Sequence, residues 1–199
     1  MYGRFFAVLV ALALLTGCST TPPRDQGNIC SIYRQYPDWY EDTLKMEKAW
    51  GLPPHVAMAI IKQESSFVED ALPPRDYFLW VIPWGRVSSA YGYAQAQDPV
   101  WGEYKSATGN GGARDNFDDA VMFVGWYAAG TQRQLGISKW DTYSQYLAYH
   151  EGRGGFSRQS YLQKPWLIQV ARKVEQQAKT YGWQLKQCRS ELESNRSWW

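Results

Sequence analysis

The stretch Val56-Ala57-Met58-Ala59-Ile60-Ile61-Lys62-Gln63-Glu64-Ser65-Ser66-Phe67 decides how the rest of the chain reads. Val56, Ile60 and Glu64 recur at i, i+4 spacing, so the carboxyl group continues the apolar stripe of a helix at its C-terminal end. Burial there raises a carboxyl pKa by penalising the charged form. The partial negative charge of the helix C-terminus pushes the same way. A neutral proton donor is therefore expected at Glu64. The competing reading, a glutamate that frays into water at a helix end, has to be weighed against the flanking sequence.

Pro53 and Pro54 suit the opening of this helix. Ahead of it, Trp39, Thr43, Met46 and Trp50 recur at i, i+4, i+7 and i+11, and Gly51 stands where a left-handed cap would end that run. Behind it, Asp98-Pro99 reads as an N-cap with proline at the first helical position, and Gly109 as the matching stop. Phe117, Val121, Val124 and Ala128 form another stripe that ends near Gly136. Asp141 is placed to cap a helix through Tyr149, and Leu167, Val170, Val174, Ala178, Tyr181 and Leu185 define a long final helix. The fold class is mainly α, as one domain over 29–189. Residues 71–86 break the pattern with prolines and large aromatic groups, and are expected as a long loop or small hairpin. The tail, 190–199, has little periodicity and is expected to fray.

Arg4 precedes an apolar run, Phe5 to Leu15, too short for an ordinary membrane span and suited to an export signal over 1–17. Leu15-Thr16-Gly17-Cys18 resembles a bacterial lipobox, which implies lipidation at Cys18. Ser19, where an aspartate would imply inner-membrane retention, implies an outer-membrane lipoprotein facing the periplasm. Residues 18–28 are short of apolar groups and are expected as a flexible tether. Of three cysteines, Cys30 and Cys188 then remain, in a compartment that permits disulfides, and they are expected to pair. Two separate buried thiols are the alternative.

Charge excludes one class of partner. With 21 basic and 19 acidic residues, net +2 and no basic stripe, the chain is not suited to nucleic acid. His55 and His150 are the two histidines and lack partners at ligand spacing, so neither a metal nor a cofactor is expected. Gly109-Asn110-Gly111-Gly112 lacks the residues of a phosphate loop, and no Gly-x-Ser-x-Gly elbow exists.

Three motifs follow one another: Glu64-Ser65-Ser66-Phe67, then Tyr91-Gly92-Tyr93-Ala94-Gln95, then Ala148-Tyr149-His150-Glu151-Gly152. Their order resembles the lytic transglycosylase domain, a goose-type lysozyme-like helical fold with a catalytic cleft. The resemblance covers 56–152 through its motifs, and the flanking helices through pattern only. It implies Glu64 as the catalytic acid/base and Ser65 as a group orienting the sugar or the carboxylate. It further implies that Gly92, Tyr93 and Gln95 line the cleft, and that the Tyr149 hydroxyl stands near Glu64. Ala94 and His150 depart from the family's usual Met and Asn, and the interval from Glu64 to Gln95 is longer than usual.

Glycoside cleavage needs an acid for the departing oxygen and commonly a second carboxylate. Glu69, Asp70, Asp76, Asp98 and Glu151 are the candidates, Glu151 being the best placed. Without one, Glu64 must protonate the leaving oxygen and then take the proton of the muramoyl 6-hydroxyl as that oxygen attacks C1. Three functions follow for a chain whose partners are peptidoglycan glycan strands and, through its anchor, a membrane: a lytic transglycosylase, a lysozyme-like muramidase, or a lipoprotein that binds peptidoglycan without cutting it. Tyr91, Tyr93, Trp101, Trp126 and Tyr127 are candidate sugar platforms. Core packing competes for Trp101, Trp126 and Tyr127.

Overall fold

The computed structural model describes residues 20–78, 82–110 and 112–196, with side chains at 76–78, 82–85, 195 and 196 left aside. Its helices are α1 (Ile29–Gln35), α2 (Pro37–Trp50), α3 (Pro54–Ser65), α4 (Asp98–Thr108), α5 (Phe117–Leu135), α6 (Thr142–Ser157) and α7 (Pro165–Arg196). A 3-10 turn, Ser160–Gln163, joins the last two, and strands β1 (Arg75–Phe78) and β2 (Ile82–Arg86) form an antiparallel hairpin between α3 and α4. The architecture is mainly helical, and the proline-rich insertion is the hairpin. Among the described residues, no helix is long and apolar enough to cross a membrane.

Capping accounts for most boundaries. Gly51, Gly109 and Gly136 close α2, α4 and α5 in the left-handed conformation. Asp141 accepts from the Ser144 amide at 3.0 Å and opens α6. That helix passes beyond Tyr149, and Gly152, at φ 72° and ψ 155°, breaks it. Helix α4 starts one residue earlier than the Asp98 cap implies, with Gln97 as its N-cap.

Helix α3 is a core helix of the domain. Val56 to Ile61 are buried without interruption, against α7 on one side and α2 and α5 on others. Such all-round burial marks a core helix more than a surface one. Its consequence is positional: whatever ends α3 is held by the whole domain.

Two expectations at the ends are corrected. Residues 20–28 are not a free tether. The Thr20 amide donates to Glu69 at 2.9 Å, Gln26 Nε2 donates to the Ser66 carbonyl at 3.0 Å, and the Tyr181 hydroxyl donates to the Gln26 carbonyl. A stretch that looked like solvated linker is instead bonded to side-chain and backbone groups of the domain. The tail does not fray at Ser190 either, because α7 continues to Arg196, buries Leu192 and pairs Glu191 with Arg34 at 2.6 Å. Cys30 and Cys188 are joined, with Cα atoms 6.1 Å apart, tying α1 to that same stretch of α7. Cys18 and the leader, like Trp198 and Trp199, lie outside the described residues.

Candidate active site

Glu64 occupies the last turn of α3, and Ser66 ends the helix in the left-handed conformation with φ 51°. As a residue Glu64 is half-buried, yet its carboxyl group is enclosed by protein. Burial pushes its pKa up to about 7, against an opposing hydrogen bond from Tyr146. Among the described residues, no charged side chain contributes to that shift. The acid is therefore tuned by burial and by a phenol.

Helix α6 supplies the facing wall. Tyr146 and Tyr149 are one turn apart on it, and burial followed by proximity to Glu64 raises the pKa of both hydroxyls. Both phenols stay protonated and act as donors. The Tyr149 hydroxyl donates to the Ala94 carbonyl at 2.6 Å, which brings the turn at 91–96 to the same place. That turn is closed by a bridge between Tyr91 and Ala96. Gln95, at φ 47°, donates from Nε2 to the carbonyls of Ala71 and Gly92 at 2.8 and 3.0 Å. Gly92 needs its missing side chain: at φ 75°, a Cβ there would fall 2.0 Å from the Arg114 carbonyl oxygen.

Glu64 and Tyr149, from two of the motifs, thus lie together, and the Tyr149–Ala94 hydrogen bond ties the third motif to them. A family model described as the transglycosylase SLT domain matches residues 6–188. The chain belongs to the SLT-domain transglycosylases. Membership carries transglycosylase-type action on peptidoglycan and agrees with the lysozyme-like helical architecture. No curated protein matches the chain.

Within this SLT domain some expected residues lie elsewhere. Tyr93 is no sugar platform. It is 1% exposed, its ring packed edge-on against Trp39 and Phe117, because its neighbour Gly92 turns it into the core. Ser65 is buried with its hydroxyl directed to the Ile61 carbonyl at 3.2 Å, so it satisfies its own helix. Trp101, Trp126 and Tyr127 belong to the core. Tyr91 keeps partial exposure, donates to Asp115 at 3.0 Å and lies under the Arg114 guanidinium.

Glu151 is the second carboxylate that hydrolysis would call on, and its surroundings are those of an ion pair. Burial acts to raise its pKa, but hydrogen bonds from Lys164, Ser160 and His150 outweigh that and hold it at about 2. Lys164 Nζ lies 2.7 Å from Oε1 and His150 Nδ1 3.2 Å from the same oxygen. From within α6, Glu151 thus holds the link between α6 and α7 through Ser160 and Lys164.

Tyr146, whose hydroxyl reaches Glu64, is a residue of the candidate site that the motifs did not single out. Its signal was present: it precedes Tyr149 by three residues and so shares the helix face aimed at Glu64. Two cavities lie apart from this site. One of ≈ 280 Å³ lies between α3 and α7, lined by Lys62, Gln63, Lys173 and Gln177, and one of ≈ 250 Å³ beside the disulfide. Glu64 lines neither.

Proposed function

We propose that this chain is a peptidoglycan lytic transglycosylase that cleaves the β-1,4 bond between MurNAc and GlcNAc without water and leaves 1,6-anhydroMurNAc ends. The carrying observation is Glu64: an enclosed carboxyl group with a pKa of about 7, faced by two phenols. Such a group gives and takes a proton near neutral pH with little driving force lost in either direction.

In the proposed cycle, the protonated Glu64 donates to the glycosidic oxygen as the C1–O bond breaks, and the leaving GlcNAc departs with that proton on its 4-hydroxyl. Positive charge develops at C1 of the muramoyl ring, offset by the substrate's own N-acetyl group, as the family resemblance implies. The muramoyl 6-hydroxyl then attacks C1. Its proton passes to the Glu64 carboxylate, which restores the starting acid. Intramolecular attack has a high effective molarity, so no second enzyme carboxylate has to activate water. Tyr146 donates to the carboxylate form and steadies it between the two transfers. The occupied Glu151 supports this reading over a hydrolase, since its oxygens are held by three donors.

Digesting purified sacculi and weighing the released muropeptides tests the proposal. Anhydro ends are expected. Reducing ends alone, one water heavier, would overturn it in favour of a muramidase, and equal digestion by wild type and Glu64→Gln would remove Glu64 from the chemistry. We also propose that Cys18 carries a lipid and anchors the domain to the outer membrane on its periplasmic side. Radiolabelled palmitate incorporated by the wild type but not by Cys18→Ala checks that, and equal labelling sinks it.

A further inference from the structure

Trp166 is 54% exposed although it is an indole at the second position of α7, and the protein holds it from behind. Leu167 beside it is fully buried, and its amide donates to the Lys164 carbonyl at 2.9 Å. Lys164 is in turn paired with Glu151. The indole meets the His150 ring edge to face, at 5.3 Å between centroids and 78° between planes. His150 is itself fixed by Glu151 and lies 6.4 Å from the Tyr146 ring, whose hydroxyl reaches Glu64.

A row of rings therefore leads from the acid to an exposed indole: Tyr146, His150, Trp166. An exposed tryptophan ordinarily costs nothing that needs explaining. What marks this one is a fixed orientation, set by an ion pair and a ring contact, in direct continuity with the catalytic wall. The other exposed indoles among the described residues lack that continuity. Trp140 packs on His55 at the opposite end of α3, and Trp183 lines the cavity beside the disulfide.

We propose that Trp166, braced by His150, is a pyranose-stacking subsite for the glycan strand. The chemistry is that of an amphipathic ring: the flat apolar face covers the C–H face of a sugar while the indole N–H remains free to hydrogen-bond at its edge. The His150 ring thereby has a task in the structure, support of the indole. This subsite rests on the glycan-cleaving reading, since a sugar must lie against Glu64 for the row of rings to continue its path.

The test uses soluble glycan strands freed of their stem peptides. Binding is measured with the Glu64→Gln protein, so that the strand is not consumed, by calorimetry. Trp166→Ala in that background is expected to weaken binding about tenfold, Trp166→Phe to restore most of it, and Trp183→Ala to change nothing. In the otherwise native protein Trp166→Ala is expected to raise KM for the strands with kcat nearly unchanged. Equal affinity with and without Trp166 overturns the subsite, as does loss of kcat at constant KM. The two readings fail separately: digestion of sacculi that is indifferent to Trp166 sinks the subsite alone, whereas Trp166-dependent binding without any cleavage sinks the catalytic reading alone.

Discussion

The Tyr149 hydroxyl donates to the Ala94 carbonyl across 2.6 Å, and so the helix that faces the acid also holds the turn at 91–96. Fifty-five residues of chain separate the two groups. A buried hydrogen bond of this kind is worth about 1 kcal/mol net. Tyr149→Phe is expected to lower stability by that order and to lower kcat more than KM, because the turn and the environment of Glu64 loosen together. Urea unfolding and turnover of sacculi check it, and an unchanged kcat would leave Tyr149 with a structural role only.

Glu64 makes stability depend on pH. Its folded-state pKa is raised from 4.5 to about 7, so the folded protein holds the proton more tightly than the unfolded chain. The contribution is fully present below about pH 4.5 and is lost as pH rises through about 7. Converted, that is on the order of 3 kcal/mol. The difference in unfolding free energy between wild type and Glu64→Gln should therefore move against the wild type across this window and level off above it. A difference that stays flat from pH 4 to 8 would show the carboxyl group to be solvated.

Tyr146 opposes that shift by donating to the carboxylate. Removing the donor in Tyr146→Phe is expected to raise the Glu64 pKa further and carry the alkaline limb of the kcat profile to higher pH. A merely structural tyrosine would lower activity without moving the limb.

Glu151 has the opposite sign. Its pKa is depressed to about 2, so its stabilisation is present above about pH 4.5 and lost as pH falls toward 2. With Lys164 partly in solvent, Glu151→Gln should cost about 1–2 kcal/mol at neutral pH. That deficit should vanish in acid. Thermal unfolding at pH 7 and pH 2 measures both, and abolished cleavage at full stability would instead restore Glu151 as a catalytic carboxylate.

Gly92→Ala places a Cβ against the Arg114 carbonyl in a left-handed backbone. Strain and displacement together should cost about 2–4 kcal/mol. A melting temperature within one or two degrees of wild type would mean that the turn is free to shift.

How much of this was legible in the chain depends on the range of the forces involved. Helix periods, glycine stops and the Asp141 cap are local, and they appear in the structure nearly where the residues imply. Tyr93 shows the limit, for a ring beside a left-handed glycine turns toward the core or the cleft according to what packs there, and here Trp39 and Phe117 decide. The segment at 20–28 shows another, since a polar stretch without periodicity becomes ordered only where a domain offers it donors and acceptors such as Ser66, Glu69 and Tyr181.

By itself, then, the sequence determined a helical domain with a carboxylic acid at the end of its most apolar helix, because periodicity and capping act between near neighbours. Only the tertiary structure decided that the acid is enclosed by Tyr146 and Tyr149, that Glu151 is consumed by Lys164, and that Trp166 stands exposed on His150. Desolvation, ion pairing and ring contacts depend on which surfaces meet, and residues distant in the chain set those meetings.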